Sequence, residues 1–125
     1  MIIGIGCDIV EHETTSKLGW DKKLDKLDRI FTLRELTQIN PKQKIRFLSG
    51  RFAAKEAVLK SLGTAMEDGI SLTDIQIFRE NNGKPIVKLT GNIRKIAQRL
   101  GVKYIQLSIS HSTQYSLAFA IAEGL

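Results

Sequence analysis

A chain of 125 residues, 42% of them hydrophobic, is long enough to bury one core and too short for two. Its single cysteine, Cys7, excludes an intramolecular disulfide framework, and no stretch approaches the roughly 20 apolar residues of a membrane-spanning helix, so a cytoplasmic protein outside the membrane is expected. Nineteen Lys and Arg against 13 Asp and Glu give a formal charge of +6, which suits a nucleic acid, an acidic membrane surface or an acidic protein, and equally a basic surface that is merely solvated.

The apolar start lacks the basic flank of a secretion signal, and Asp8 interrupts it too early for one. Residues 2–11 (IIGIGCDIVE) are rich in β-branched side chains and predict a buried strand with a carboxylate set inside it. Residues 14–29 are polar, with Leu18, Leu24 and Leu27 as thin anchors, and predict a short helix or loop. Thr32 and Glu35 have the spacing of a capping box and open a short helix that should stop near Asn40-Pro41. From Lys42 to Leu62, apolar residues recur at helical spacing through Ile45, Leu48, Phe52, Leu59 and Leu62, and Gly63 supplies a C-terminal stop. Residues 71–79 and 84–89 alternate around Asn81-Asn82-Gly83, the pattern of a β-hairpin. Residues 92–100 have helical spacing closed by Gly101, and residues 104–110 and 115–123 predict a final strand pair around His111-Ser112-Thr113-Gln114.

Three segments carry possible chemistry. Gly4-Ile5-Gly6-Cys7-Asp8 has two glycines but places Ile9 where a dinucleotide fingerprint needs its third, and no helical pattern follows. A carboxylate among apolar neighbours is expensive, so Asp8 needs a cation, a metal or backbone donors. On the long helix, Arg51 and Lys55 fall on or near the apolar arc, whereas a solvated helix keeps cations opposite it; they imply an anion or an interface. Glu56 and Lys60 are also four apart, which taken alone is an ordinary surface pair worth about 0.3 to 0.5 kcal/mol. The third segment, Ser108-Ile109-Ser110-His111-Ser112, ends a strand in a histidine and hydroxyls, a placement more often structural than catalytic. Zinc spacing, a phosphate loop ending in Gly-Lys-Ser/Thr and a Gly-x-Ser-x-Gly elbow are all missing.

Taken together and in order, GIGCDIVE at residues 4–11, GRFAAKEAVLKSLGT at 50–64 and SISHS at 108–112 resemble the holo-[acyl-carrier-protein] synthases of the 4′-phosphopantetheinyl transferase family, and residues 31–36 (FTLREL) and 82–85 (NGKP) extend the resemblance over nearly the whole chain. The resemblance implies an α+β fold, a single 4′-phosphopantetheinyl transferase domain over residues 1–125 in which an antiparallel sheet packs against one long helix and shorter helices. It implies Mg²⁺ held by Asp8 and Glu56, bridging the pyrophosphate of coenzyme A while a serine of an apo acyl carrier protein attacks the β-phosphate and adenosine 3′,5′-bisphosphate leaves, a step that supports fatty acid biosynthesis. Lys60 would face the same phosphates, Arg51 and His111 would lie near coenzyme A, and the serine's proton acceptor is left open between Glu56, Asp8 and a water on the metal. A homotrimer with coenzyme A sites at subunit interfaces is implied as well, and the basic balance suits an acidic carrier protein.

One departure concerns docking. Many members place basic residues on the first helix, but here His12-Glu13-Thr14-Thr15-Ser16 precedes Lys17, so Lys17, Lys22, Lys23, Lys26 and Arg29 are expected to form the basic surface. Two competing readings are weaker. A nucleic-acid module rests on charge alone and lacks aromatic residues among its basic stretches. A coenzyme A or carrier-protein binder without catalysis has no use for Asp8, Glu56 and Lys60 together.

Overall fold

The computed structural model describes residues 1–66 and 69–125. Strand β1 (Ile2–Glu11) runs directly into helix α1 (His12–Lys17), and two 3₁₀ turns, Trp20–Lys22 and Leu24–Lys26, lead to the short helix α2 (Leu33–Leu36). The long helix α3 (Lys44–Ser61) follows, then strands β2 (Ile75–Arg79) and β3 (Pro85–Leu89), helix α4 (Gly91–Leu100), and strands β4 (Val102–His111) and β5 (Tyr115–Gly124). The architecture is the expected α+β one, with its strands divided between a three-stranded antiparallel sheet of order β1-β5-β4 and a β2-β3 hairpin. No described helix is long and apolar enough to cross a membrane.

Three expectations are corrected. The capping box at Thr32 and Glu35 forms, but the helix ends at Leu36, and turns complete the path to Pro41. The segment after β1 turns helical at His12, two residues earlier than predicted, anchored by a hydrogen bond between the buried hydroxyls of Thr15 and Ser49 (2.8 Å). Strand β1 is buried on one face only: Gly4, Gly6, Asp8 and Val10 turn toward α3, while Ile5 and Ile9 are 60% and 61% exposed.

The core lies between the three-stranded sheet and α3. On β5 the inward residues are Ser116, Ala118, Ala120 and Ala122, all fully buried, and α3 answers with Ala53, Ala54 and Ala57. Small side chains on both sides let the helix lie close to the sheet. A second cluster of Leu27, Phe31 and Leu48 seals the other side of α3, and Trp20 packs edge-on against Phe31 and Phe52.

Helix α3 is therefore covered around most of its circumference, which puts Lys55 in the interior with no exposed surface. Its ammonium spends all three donors within the chain, on Glu35 Oε1 (2.8 Å) and on the carbonyls of Ile30 (2.6 Å) and Leu72 (2.9 Å). Glu35 in turn accepts from the backbone N–H groups of Thr32 (3.0 Å) and Ile77 (3.1 Å). The anion implied by an inward Lys55 is thus the chain's own Glu35, and the pair ties α2, α3 and β2 together. Burial pulls the Lys55 pKa down and Glu35 pulls it back up, so the ammonium depends on its partner. Removing one member of a fully buried pair strands the other: Lys55→Met or Glu35→Gln alone should cost about 3 to 5 kcal/mol, whereas the double variant should cost clearly less than the sum. Urea denaturation of the two single variants and the double variant measures this coupling, and simple additivity would refute it.

Candidate active site

Side chains alternate along a strand, so Gly4, Gly6 and Asp8 share the face of β1 that meets α3. A Cβ at Gly4 would collide with the Ser61 carbonyl, and one at Gly6 with the Ala57 carbonyl and the Ser61 amide. The two glycines hold strand backbone against helix backbone; they do not cradle a phosphate. With β1 drawn this close, Asp8 arrives beside the α3 face that carries Glu56 and Lys60 one turn apart. Lys60 Nζ donates to Asp8 Oδ1 (3.1 Å) and to the Cys7 carbonyl (2.9 Å). Burial and the Asp8 charge together raise the Glu56 pKa above the usual carboxylate range, and Lys60 partly offsets them.

Asp8 and Glu56 line one cleft, floored by Phe52 and rimmed by Ile9, Thr14 and Tyr115. Asp8 keeps 19% of its side chain exposed and Lys60 52%, so the group is open to a ligand from solvent. Two hard oxygen donors from rigid elements, one of them raised by its like-charged neighbour, suit a divalent cation that takes its remaining ligands from water and phosphate. Among the described residues no set of three or more His, Cys, Asp and Glu side chains converges as a metal site, which leaves room for those outside ligands.

Arg51 and His111 stand elsewhere. They line a cleft of about 430 Å³ with Arg46, Arg79, Gln43 and Phe47, and this cleft shares no lining residue with that of Asp8 and Glu56. Arg51 is 4% exposed, its guanidinium lies 4.6 Å over the Phe47 ring, and its buried Nε has no partner among the described residues. Burial and Arg79 lower its pKa to about 10, so it stays a cation. His111 reaches this cleft across Gly50, where an added Cβ would sit 2.6 Å from the ring. Burial, then Arg46, His12, Arg79 and Arg51, lowers the His111 pKa to about 4 and keeps the free imidazole neutral. The structure thus brings Asp8, Glu56 and Lys60 together, brings Arg51 and His111 together, and separates the two groups within one chain.

Sequence reasoning missed Arg46, although it lies one helical turn before Gly50 and so shares the His111 side of α3. Ser116 and His12, which both hydrogen-bond within this region, had no local signal. Of the basic residues after β1, Lys17 pairs with Glu13 (3.1 Å), and Lys22, Lys23, Lys26 and Arg29 are exposed with Asp25 and Asp28 among them.

Residues 4–120 match the model of the 4′-phosphopantetheinyl transferase superfamily. The chain is 45% identical to the holo-[acyl-carrier-protein] synthase of Geobacillus sp. (strain WCH70), covering 100% of this chain and 99% of the other. It superposes on the holo-[acyl-carrier-protein] synthase of Neisseria meningitidis with a TM-score of 0.86 at 33% identity, covering 98% and 99%. It also superposes on the Bacillus anthracis holo-(acyl-carrier-protein) synthase in complex with CoA (3′,5′-ADP), with a TM-score of 0.79 at 33% identity, covering 100% and 99%. Glycine-spaced β1, the GRFAAKEA segment of α3 and the His111 strand end are thus parts of one scaffold, and the chain is a transferase that belongs to the 4′-phosphopantetheinyl transferase superfamily, among its holo-[acyl-carrier-protein] synthases.

Proposed function

We propose that the protein transfers the 4′-phosphopantetheine group of coenzyme A to a serine of apo acyl carrier protein, as one transferase domain over residues 1–125, and releases adenosine 3′,5′-bisphosphate. The observation that carries this reading is that Asp8 and Glu56 line one open cleft while Lys60 is hydrogen-bonded to Asp8. Asp8 and Glu56 are the residues that would hold Mg²⁺. The bound ion supplies charge neutralisation and polarisation at the diphosphate. Lys60, tethered to the Cys7 carbonyl and Asp8, is aimed at the same place and stabilises the charge that grows on the leaving phosphate. Phe52 adds an apolar wall to the same cleft. The bisphosphate end of coenzyme A suits the cleft of Arg51 and His111, where Arg51 keeps an unused donor.

One chain holds these clefts apart, which supports the homotrimer. The outer face of the three-stranded sheet carries Ile5, Ile9, Leu117, Phe119 and Tyr115, between 39% and 61% exposed, in adjacent rungs of β1 and β5. An apolar face of this kind calls for a cover. Ile9 and Tyr115 also rim the carboxylate cleft, so a neighbour seated there would bring its own cationic cleft toward Asp8 and Glu56. A cytoplasmic setting and a role in fatty acid biosynthesis go with this reading.

Four measurements test it. Intact-mass spectrometry of an apo acyl carrier protein incubated with the enzyme, coenzyme A and Mg²⁺ should show the gain of one phosphopantetheine group. EDTA should abolish the gain, and Glu56→Gln should slow it about a hundredfold or more. Because a proton competes with the metal for the raised Glu56 carboxylate, the Mg²⁺ needed for half-maximal rate should rise as pH falls into the range where Glu56 protonates. No gain in mass with a folded enzyme would reject the transferase reading. Sedimentation should give three copies for the wild type and smaller species for Phe119→Glu; a monomeric wild type would remove the trimer. Reversing Lys22, Lys23 and Lys26 to Glu should raise the carrier-protein KM about tenfold at low salt and leave the coenzyme A KM in place, and an unchanged carrier-protein KM would move docking elsewhere.

A further inference from the structure

Beside the cationic cleft, two imidazoles share one hydroxyl. Ser116, the second residue of β5, is fully buried; its Oγ lies 2.7 Å from His111 Nδ1 and 2.8 Å from His12 Nε2. His12 Nδ1 lies 3.1 Å from the Thr113 carbonyl. The ring centroids are 6.4 Å apart, so the rings communicate through the hydroxyl rather than by contact.

The direction of this chain follows from its ends. A carbonyl only accepts, so His12 carries its proton on Nδ1. In that tautomer Nε2 accepts, and the Ser116 hydroxyl donates to it. The Ser116 oxygen is left to accept, so His111 donates from Nδ1, and its Nε2 is a bare acceptor. That atom has no hydrogen bond among the described residues, on a ring that lines the cleft with Arg46 and Arg51.

We propose that Ser116 and His12 are positioning residues of the coenzyme A site: they hold His111 with Nε2 open to the cleft and pass to His12 the proton that Nε2 takes from a bound phosphate. The proposal rests on the reading of this cleft as the one that receives a phosphate of coenzyme A. A phosphate monoester has its second pKa near 6 and arrives partly protonated. Its O–H bond breaks as His111 Nε2 gains a proton; the Nδ1 proton moves to the Ser116 oxygen, and the Ser116 proton moves to His12 Nε2. The phosphate becomes a dianion facing Arg46, Arg51 and an Nε2–H donor, and the added positive charge sits on His12.

The surroundings favour that endpoint. A cation on His111 would face Arg46 and Arg51 of α3, Arg79 of β2 and His12 of α1, besides its own burial, which together keep its pKa near 4. His12 shares its cleft with Lys42, Lys44 and Arg46, but also with Asp21, one of whose oxygens is buried without a partner. On its own helix Glu13 is paired with Lys17. Moving the charge one hydroxyl away keeps the donor at the phosphate and removes the cation from among the arginines.

Nitrogen-15 NMR of the full chain with labelled histidine reads both rings. In the free protein near neutral pH, His111 should carry its proton on Nδ1. On acidification, or on adding coenzyme A, His111 should become protonated on Nε2 while His12 becomes doubly protonated, with one shared midpoint. Ser116→Ala, conservative in a row of inward alanines, should uncouple the rings and raise the coenzyme A Kd and KM about tenfold, the loss of a charge-assisted hydrogen bond, with a much smaller change in kcat. His12→Phe keeps a ring, removes the terminal acceptor and should likewise uncouple His111. A free His111 already protonated on Nε2, separate midpoints in the wild type, or an unchanged switch in Ser116→Ala would overturn the relay. Coupled switching without phosphopantetheine transfer would reject the transferase reading and leave the relay standing; transfer without switching would do the reverse.

Discussion

The spacing between α3 and the three-stranded sheet is the constraint on which the rest of the molecule depends. It is set by what is missing from side chains: Gly4 and Gly6 on β1, Ala118, Ala120 and Ala122 on β5, and Ala53, Ala54 and Ala57 on the helix. At ordinary separation Asp8 would stand off from α3, and Lys60 could not reach both the Cys7 carbonyl and Asp8. The same closeness seats His111 over Gly50, so the glycine that opens the GRFAAKEA segment serves the histidine that ends β4. The first and third of the three stretches are thus joined through the helix that carries the second.

Packing this tight removes the solvated side that a helix ordinarily has, and that explains the two buried cations of α3. Lys55 is satisfied by Glu35 and two carbonyls and is structural. Arg51, one turn earlier, lies over the Phe47 ring and lines a cleft, with its buried Nε unpaired among the described residues. Residues of like charge, one turn apart on the same helix, thus divide into one held by the fold and one that lines a cleft. The difference lies in their neighbours, since a carboxylate meets one and an open cleft meets the other.

Much of this was legible in the sequence, and the rest was not for definable reasons. The strand at residues 2–11 followed from its β-branched run, and the long helix, the hairpin and the last two strands from the spacing of their apolar residues, although Leu72–Asp74 at the start of the hairpin form a 3₁₀ turn. The end of α2 at Leu36 was not visible, since the polar run to Asn40 is compatible with another helical turn. One-sided burial of β1 was hidden because Ile5 and Ile9 are as apolar as core residues; they belong to a surface that the chain alone leaves uncovered. Asp8, Glu56 and Lys60 could be grouped from the family resemblance, and the structure supplies the reason for their spacing. The division into two clefts, the Glu35 partner of Lys55 and the Ser116 bridge all depend on contacts more than 15 residues apart or across strand register, which local pattern does not encode.

The electrostatics of the two clefts are opposed, and that opposition is useful to a short chain. At the Asp8 cleft burial and then the Asp8 charge raise the Glu56 pKa, which a cation placed there would counter. At the Arg51 cleft burial and then the charges of Arg46, His12, Arg79 and Arg51 lower the His111 pKa, which an anion placed there would counter. The two clefts share no lining residue. Were they adjacent within one chain, carboxylates and guanidinium groups would pair and leave nothing for a substrate. Separation by the body of α3 and the sheet keeps the carboxylates and the guanidinium groups from neutralising one another.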